Sequence, residues 1–153
     1  SDVTDFPGIV ANSYGKGRAV LIPWQIDSQY SWKGNNAHMA LFIASMKNLL
    51  KVESPLVTNA SPLIEMTHIG NRNGAFEWIG MINHSGQLGD AFREPVPIYN
   101  TTIRFKPVKP VKAIKLMRAG EGLKFSQNNG WVECVVPQIN DFEMMLCLYK
   151  EKR

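Results

Sequence analysis

Long hydrophobic runs are missing from this chain of 153 residues. The longest apolar stretch, Met39–Met46, is interrupted by Ser45 and falls far short of the roughly 18 residues of a membrane-crossing helix. Cysteine is scarce: Cys134 and Cys147 are the only two, too few for a disulfide scaffold. They read as buried thiols, with a bridge between neighbouring strands as the open alternative. No basic region followed by an apolar segment starts at Ser1, so no signal peptide is expected there, and that absence leaves the compartment undecided. Cys-x-x-Cys and His-x-x-x-His spacings are both absent, and with them the familiar arrangements of zinc ligands. His68 and His84 could meet across hairpin ends, but no third ligand stands near them, and His38 is remote in sequence. There is no Gly-x-Ser-x-Gly elbow, and no serine or cysteine has a local base to activate it. No catalytic nucleophile, metal or cofactor is expected.

What is present has the proportions of a globular domain, 44% hydrophobic and 20% charged. At this length folding removes roughly 70% of the unfolded surface from water, so a core forms without metal or disulfide. The net charge of +4 comes from one place. Arg104, Lys106, Lys109, Lys112, Lys115 and Arg118 lie together with no acid among them, which leaves 11 of the 17 cations against 13 acids elsewhere. Five of these cations are spaced by three, so a strand would divide them between its two faces. Only polyproline geometry around Pro107 and Pro110 would align some of them. No aromatic residue lies within the run to stack bases, and lysines with prolines protect a sheet edge from unwanted pairing. Edge protection is the expected role. Neither a nucleic-acid nor a membrane partner is expected.

Along the chain, the first fifty residues read as strand, strand, helix. Gly8–Tyr14 and Arg18–Trp24 flank the tight turn Gly15-Lys16-Gly17, which lacks the following helix of a phosphate loop. A helix is expected over 36–51 with Asn36 as N-cap, since Met39, Phe42, Ile43, Met46, Leu49 and Leu50 share one helical face. Residues 53–62 are rich in proline, serine, asparagine and threonine and read as a linker. From 63 onward the period is that of strands: Leu63–Ile69, Phe76–Asn83, Ile98–Phe105, Val111–Met117, Leu123–Ser126, Trp131–Val136 and Phe142–Tyr149. Turn signals separate them, among them Asn73-Gly74 and Asn129-Gly130. The expected fold is mainly β: an immunoglobulin-like antiparallel sandwich of about seven strands over 63–153, preceded by a partial α/β segment over 1–52. Phe142, Met144, Leu146 and Leu148 share one parity and are expected to face the core.

Catalytic carboxylates are poorly supported. The best pair is Glu65 and Glu77; a turn centred on Arg72 would set both on one face of a hairpin, as two exposed strand glutamates with no base or nucleophile beside them. Asn-x-Ser/Thr sequons occur at Asn59, Asn83 and Asn100. The richer feature is Trp24, Asp27, Tyr30 and Trp32, read as a loop projecting beyond the strand that Pro23 ends. Flat aromatic faces beside a carboxylate suit sugar rings; they equally suit an interdomain or oligomer contact.

Tyr14–Trp24, followed by Tyr30 and a helix, resembles the end of the glutamine-amidotransferase-like domain of multidomain glycoside hydrolases, the trimerisation domain of one type of β-galactosidase. Residues from Leu63 to Tyr149 resemble the small C-terminal β-sandwich of those enzymes, through Met81-Ile82-Asn83-His84-Ser85-Gly86, Glu94-Pro95-Val96-Pro97 and Asp141-Phe142-Glu143. The resemblance implies a non-catalytic accessory region serving interdomain packing or oligomerisation. The catalytic acids would lie on a (β/α)₈ barrel N-terminal to it. Nothing in this chain corresponds to that barrel, whose roughly 250 residues would not fit, and no cysteine precedes Cys134 to supply an amidotransferase nucleophile. It implies as partners that barrel, other copies of the chain and a glycan, with a periplasmic or secreted setting for a bacterial glycan-degrading parent. The alternative is a free-standing β-sandwich that binds a carbohydrate or polyanion.

Overall fold

The computed structural model describes residues 5–70 and 73–150. The chain divides into two compact units, Ser1–Ser54 and Pro55–Arg153. No helix among the described residues is long and apolar enough to cross a membrane.

In the first unit β1 (Val10–Tyr14) and β2 (Gly17–Leu21) are joined by two residues, with Gly15 at φ +56°. A two-residue turn joins only antiparallel strands. The pair is therefore a hairpin, with Val10 opposite Leu21 and Tyr14 opposite Gly17, rather than the parallel pair of an α/β sheet. Two helices follow where one was expected. Helix α1 (Ile26–Lys33) occupies the stretch read as a loop and stops at Gly34, which adopts φ +59° and donates its amide to the Tyr30 carbonyl. Helix α2 (Asn36–Ala44) is capped one residue earlier than predicted, by the Asn35 side chain accepting from the Ala37 amide at 2.9 Å. It does not run as an α-helix to 51. Ser45 Oγ donates to the Leu41 carbonyl at 2.9 Å, and the ladder widens into a π-turn over Ser45–Leu49. Lys51, at φ +58°, ends it.

The second unit is an antiparallel sandwich. Its strands are β3 (Leu56–Thr58), β4 (Ile64–Gly70), β5 (Phe76–Asn83), β6 (Gln87–Leu88), β7 (Ala91–Phe92), β8 (Ile98–Phe105), β9 (Val111–Leu116), β10 (Gly122–Leu123), β11 (Phe125–Asn128), β12 (Trp131–Ile139) and β13 (Phe142–Tyr149). One sheet runs β10-β9-β13-β5-β4 and the other β11-β12-β8-β3, with β6 and β7 as a separate hairpin. The two main sheets thus hold nine strands, against about seven expected. Strand β3 lies within 53–62, the stretch read as a linker, and extends the smaller sheet by pairing with β8. The predicted Leu123–Ser126 strand is split: Leu123 pairs in one sheet and Phe125 in the other.

The core lies between the sheets. Ile79, Met81, Ile114 and Met145 from one side meet Ile103, Phe105, Val132 and Val136 from the other, and each such side chain stabilises the fold by about 1.5–3 kcal/mol. On β13 the inward residues are Glu143, Met145, Cys147 and Tyr149. Phe142, Met144, Leu146 and Leu148 point to the outer face, opposite to expectation. Hydropathy alone misassigns this strand because its outer face is the more apolar of the two. Both thiols are free and buried, and Cys134 Sγ approaches Met145 Sδ across the sandwich at 3.4 Å. Burial, with the Glu133 charge adding to it, pushes the Cys134 thiol up from 9.0 to about 12. Burial raises Cys147 further, assisted by Glu77 and then Cys134.

Two outcomes follow for folding. Proline at 43 removes an amide donor and clashes with the preceding helical turn, at about 3 kcal/mol or more. Ile43→Pro is expected to unfold the first unit while the near-ultraviolet dichroism of the sandwich survives; loss of both in one transition would show that the units unfold together. Below pH 9 the thiols are protonated in folded and unfolded chains alike. As pH rises from about 9 towards 12, the unfolded thiols ionise and the buried ones do not, so stability falls. Denaturant titrations across that window are expected to show a shallower fall for Cys134→Val.

Candidate functional site

The helix α1 region has no loop to project. Trp24 precedes the helix, is 36% exposed, donates Nε1–H to the Gly8 carbonyl at 3.0 Å and sets its ring edge-on to His38 at 5.4 Å. Asp27, in the first turn, and half-buried Tyr30, one turn on, line a notch of about 200 Å³ together with Ile26, His38, Met39 and Phe42. His38 Nδ1 is buried without a hydrogen-bond partner among the described residues. Trp32 takes no part in this notch and is 87% exposed. Two of the four sequence candidates, Asp27 and Tyr30, thus line one notch, with Trp24 set against its His38, and α2 adds His38, Met39 and Phe42, which sequence reasoning had set aside as histidine and helix core. The helix itself was readable from Asp27 in a first turn and Gly34 just past the end. Chemically the notch is apolar, with one carboxylate at its wall. Its volume lies below the roughly 300–1,000 Å³ of small-molecule pockets, and it suits an inserted apolar side chain better than a hydroxyl-covered ring.

The paired glutamates separate. The observed register sets Glu65 opposite Ile82 and Gly70 opposite Glu77, displaced by an odd number of residues from a turn centred on Arg72. An odd displacement moves one residue to the other face. Glu65 stays on the outer face, where His84 Nε2 lies 2.9 Å from its carboxylate. Glu77 is fully buried rather than exposed, with His68 Nε2 2.9 Å from Oε2 and the Val108 amide donating to the same oxygen at 3.4 Å. His68 and His84 therefore pair with different glutamates on opposite faces and do not meet. Among the described residues no three potential ligands converge on a metal position.

Other buried polar groups hold loops. Asn83 Nδ2 donates to the Val96 and Asn140 carbonyls at 2.8 and 2.5 Å, while its Oδ1 accepts from the Ser85 amide. That amide nitrogen is committed, which removes Asn83 as a glycan acceptor. Glu143, also buried, accepts the Arg118, Met144 and Ala119 amides at 2.8–3.0 Å. Arg118 in turn pairs with Asp141, and that hydrogen bond holds the exposed Asp141 carboxyl below its ordinary range.

The basic run has no common face. Arg104 and Lys106 stack over Trp131 at 4.7 and 5.0 Å, whereas Lys109 donates to the Gly74 carbonyl and covers the Tyr149 ring. The aromatic partner of Arg104 comes from a neighbouring strand, which a scan of the run itself could not reveal. Strand β9, carrying Lys112 and Lys115, is separated from the sheet edge only by the two residues of β10.

No protein-family model and no curated protein matches the sequence. Among solved structures, α-L-fucosidase isoenzyme 2 from Paenibacillus thiaminolyticus aligns with 95% of this chain at a TM-score of 0.73 and 21% identity. A cycloisomaltooligosaccharide glucanotransferase from Paenibacillus sp., complexed with cycloisomaltoheptaose, aligns with 71% of the chain and 20% of its own at a TM-score of 0.41 and 14% identity. The first likeness is one of fold, and this chain spans 22% of the fucosidase's length.

The two tryptophans are expected to behave differently. Trp32→Ala, at an exposed position, should change folding stability by no more than about 0.5 kcal/mol. Trp24→Ala, which forfeits a hydrogen bond and a ring contact, should cost about 1–3 kcal/mol. Denaturant titrations followed by circular dichroism of the helices measure both.

Proposed function

We propose that this chain is a non-catalytic accessory region of a glycoside hydrolase, serving to pack the enzyme's parts together or to join its copies. The observation that carries the reading is the alignment of 95% of the chain with little more than a fifth of an α-L-fucosidase. A stretch of this size and fold is a portion of that enzyme, and the remainder of the neighbour is long enough to contain the catalytic machinery. The state of the carboxylates supports the same reading. Glycosidases set two acids about 5–9.5 Å apart across a cleft, whereas Glu65 and Glu77 lie on opposite faces of one sheet, each beside a histidine.

The finer identification is that the first unit is the end of a glutamine-amidotransferase-like domain and the second the C-terminal sandwich of a β-galactosidase-type enzyme. Asn83, Val96, Asp141 and Glu143, from the segments that carry the resemblance, are the residues that clamp the sandwich loops. On this reading the catalytic barrel belongs to the parent chain, and the glycan is the barrel's substrate. The apolar notch around Tyr30 and Met39 receives a side chain from another domain or another copy.

The purified chain is expected to hydrolyse neither nitrophenyl fucosides nor nitrophenyl galactosides, and the native reading frame is expected to encode a barrel upstream. Hydrolysis that disappears in Glu65→Gln or Glu77→Gln would overturn the reading, as would a native product no longer than this chain.

A further inference from the structure

The five-stranded sheet is apolar on both faces. On the outside, Ile69 stands opposite Trp78 and Trp78 opposite Leu146, forming a row across β4, β5 and β13. Phe76 lies opposite Leu148, and Ile82 opposite Phe142. Charges appear where these rows end, at Lys115 beside Leu146, at Glu65 beside Ile82 and at Arg118, whose guanidinium lies 4.8 Å over the Phe142 ring. Ile69, Phe76, Ile82 and Phe142 are each close to half exposed. The outer side of the other sheet is mixed: Thr102, Arg104, Ser126, Asn128 and Glu133 share it with Val57, Val135 and Trp131, so polar side chains interrupt the apolar ones in each row. An antiparallel sheet with one wet face alternates apolar and polar residues; continuous apolar strands belong to sheets covered on both sides. Isolated exposed apolar residues are ordinary, but contiguous rows of them mark an interaction surface.

We propose that the outer face of the five-stranded sheet is a docking surface covered, in the intact protein, by an uncharged apolar layer from the rest of a longer polypeptide. The proposal rests on the accessory-region reading and adds the surface and the chemistry of what covers it. Two observations select a layer from the same polypeptide. The centre of the face is free of charge and carries large aromatic and aliphatic side chains, the composition of permanent interfaces, which resemble a domain core cut in two. And this chain accounts for 22% of the fucosidase it resembles, so most of such a molecule lies outside it and is available to supply the layer.

Cysteine labelling tests this cleanly, because the two native thiols are buried. Ile82→Cys and Phe142→Cys place a thiol on the proposed surface, and Ser126→Cys places one on the opposite sheet as a control. In the isolated chain the three are expected to react with a maleimide at similar rates. In the native, longer gene product the Ile82→Cys and Phe142→Cys thiols are expected to react at least roughly tenfold more slowly than Ser126→Cys. Equal rates in the longer product would overturn the proposal while leaving the accessory-region reading intact. Protection already present in the isolated chain would also overturn it: with doubled mass by light scattering the cover is a second copy, and with monomer mass it is residues 5–54. A native product of this chain's length would remove the accessory-region reading itself.

Discussion

A strand has two faces, and the register of β4, β5 and β13 decides what each of them meets. Ile79, Met81 and Met145 enter the sandwich core only because Asn83 sits opposite Ile64 and Glu143 opposite Met81. A slip of one residue would exchange the whole inner set for the outer one. Since both sets are apolar, burial discriminates weakly between the two registers, and the polar residues at the strand ends supply the discrimination. Asn83 provides it at one end, its backbone amide on the Asp141 carbonyl and its side chain on two others. Placed on the outer face, that side chain would give up both hydrogen bonds, at about 0.5–1.5 kcal/mol each.

The buried carboxylates belong to the same logic. Glu143 gathers three amides at the start of β13, and the Arg118–Asp141 pair covers the same corner. Glu77 sits near the other end of the sheet, opposite Cys147, with His68 beside it. Glu143 is a carboxyl taken out of water and matched by amide donors, whereas Glu77 has its partners on Oε2 and its Oε1 is buried without one among the described residues; such groups hold one geometry rather than adding much net stability.

The first unit is built differently. Its hairpin is short, its two helices are joined through Gly34, and its largest apolar side chains, among them Phe42 and Ile43, remain exposed. The π-turn after Ala44 rotates the residues that follow, so the single apolar stripe that the spacing implies is broken in two. A notch between helices, lined on several sides by apolar groups, is what such a unit offers to whatever packs on it.

Much of the sandwich was legible from the sequence because strand-forming runs and turn residues are local signals: six of the seven expected strands correspond closely to observed ones, and Gly15 and Gly130 adopt the positive φ of their turns. Helix α2 announced itself by its period and by the amide side chains before it. Helix α1 carried only end signals, Asp27 and Gly34, since its apolar residues follow no clear face. The sequence by itself thus determined where strands and turns lie, and so a mainly β chain without a recognisable catalytic constellation. Only the tertiary structure decided which parity of β13 is core, on which face each glutamate falls, that Trp131 meets Arg104, and that Asp27 and Tyr30 line one notch with Trp24 against its His38 while Trp32 stands apart. The reason is physical: period and turn chemistry are properties of neighbouring residues, whereas face and partner depend on a register that distant groups such as Asn83 and Glu143 set.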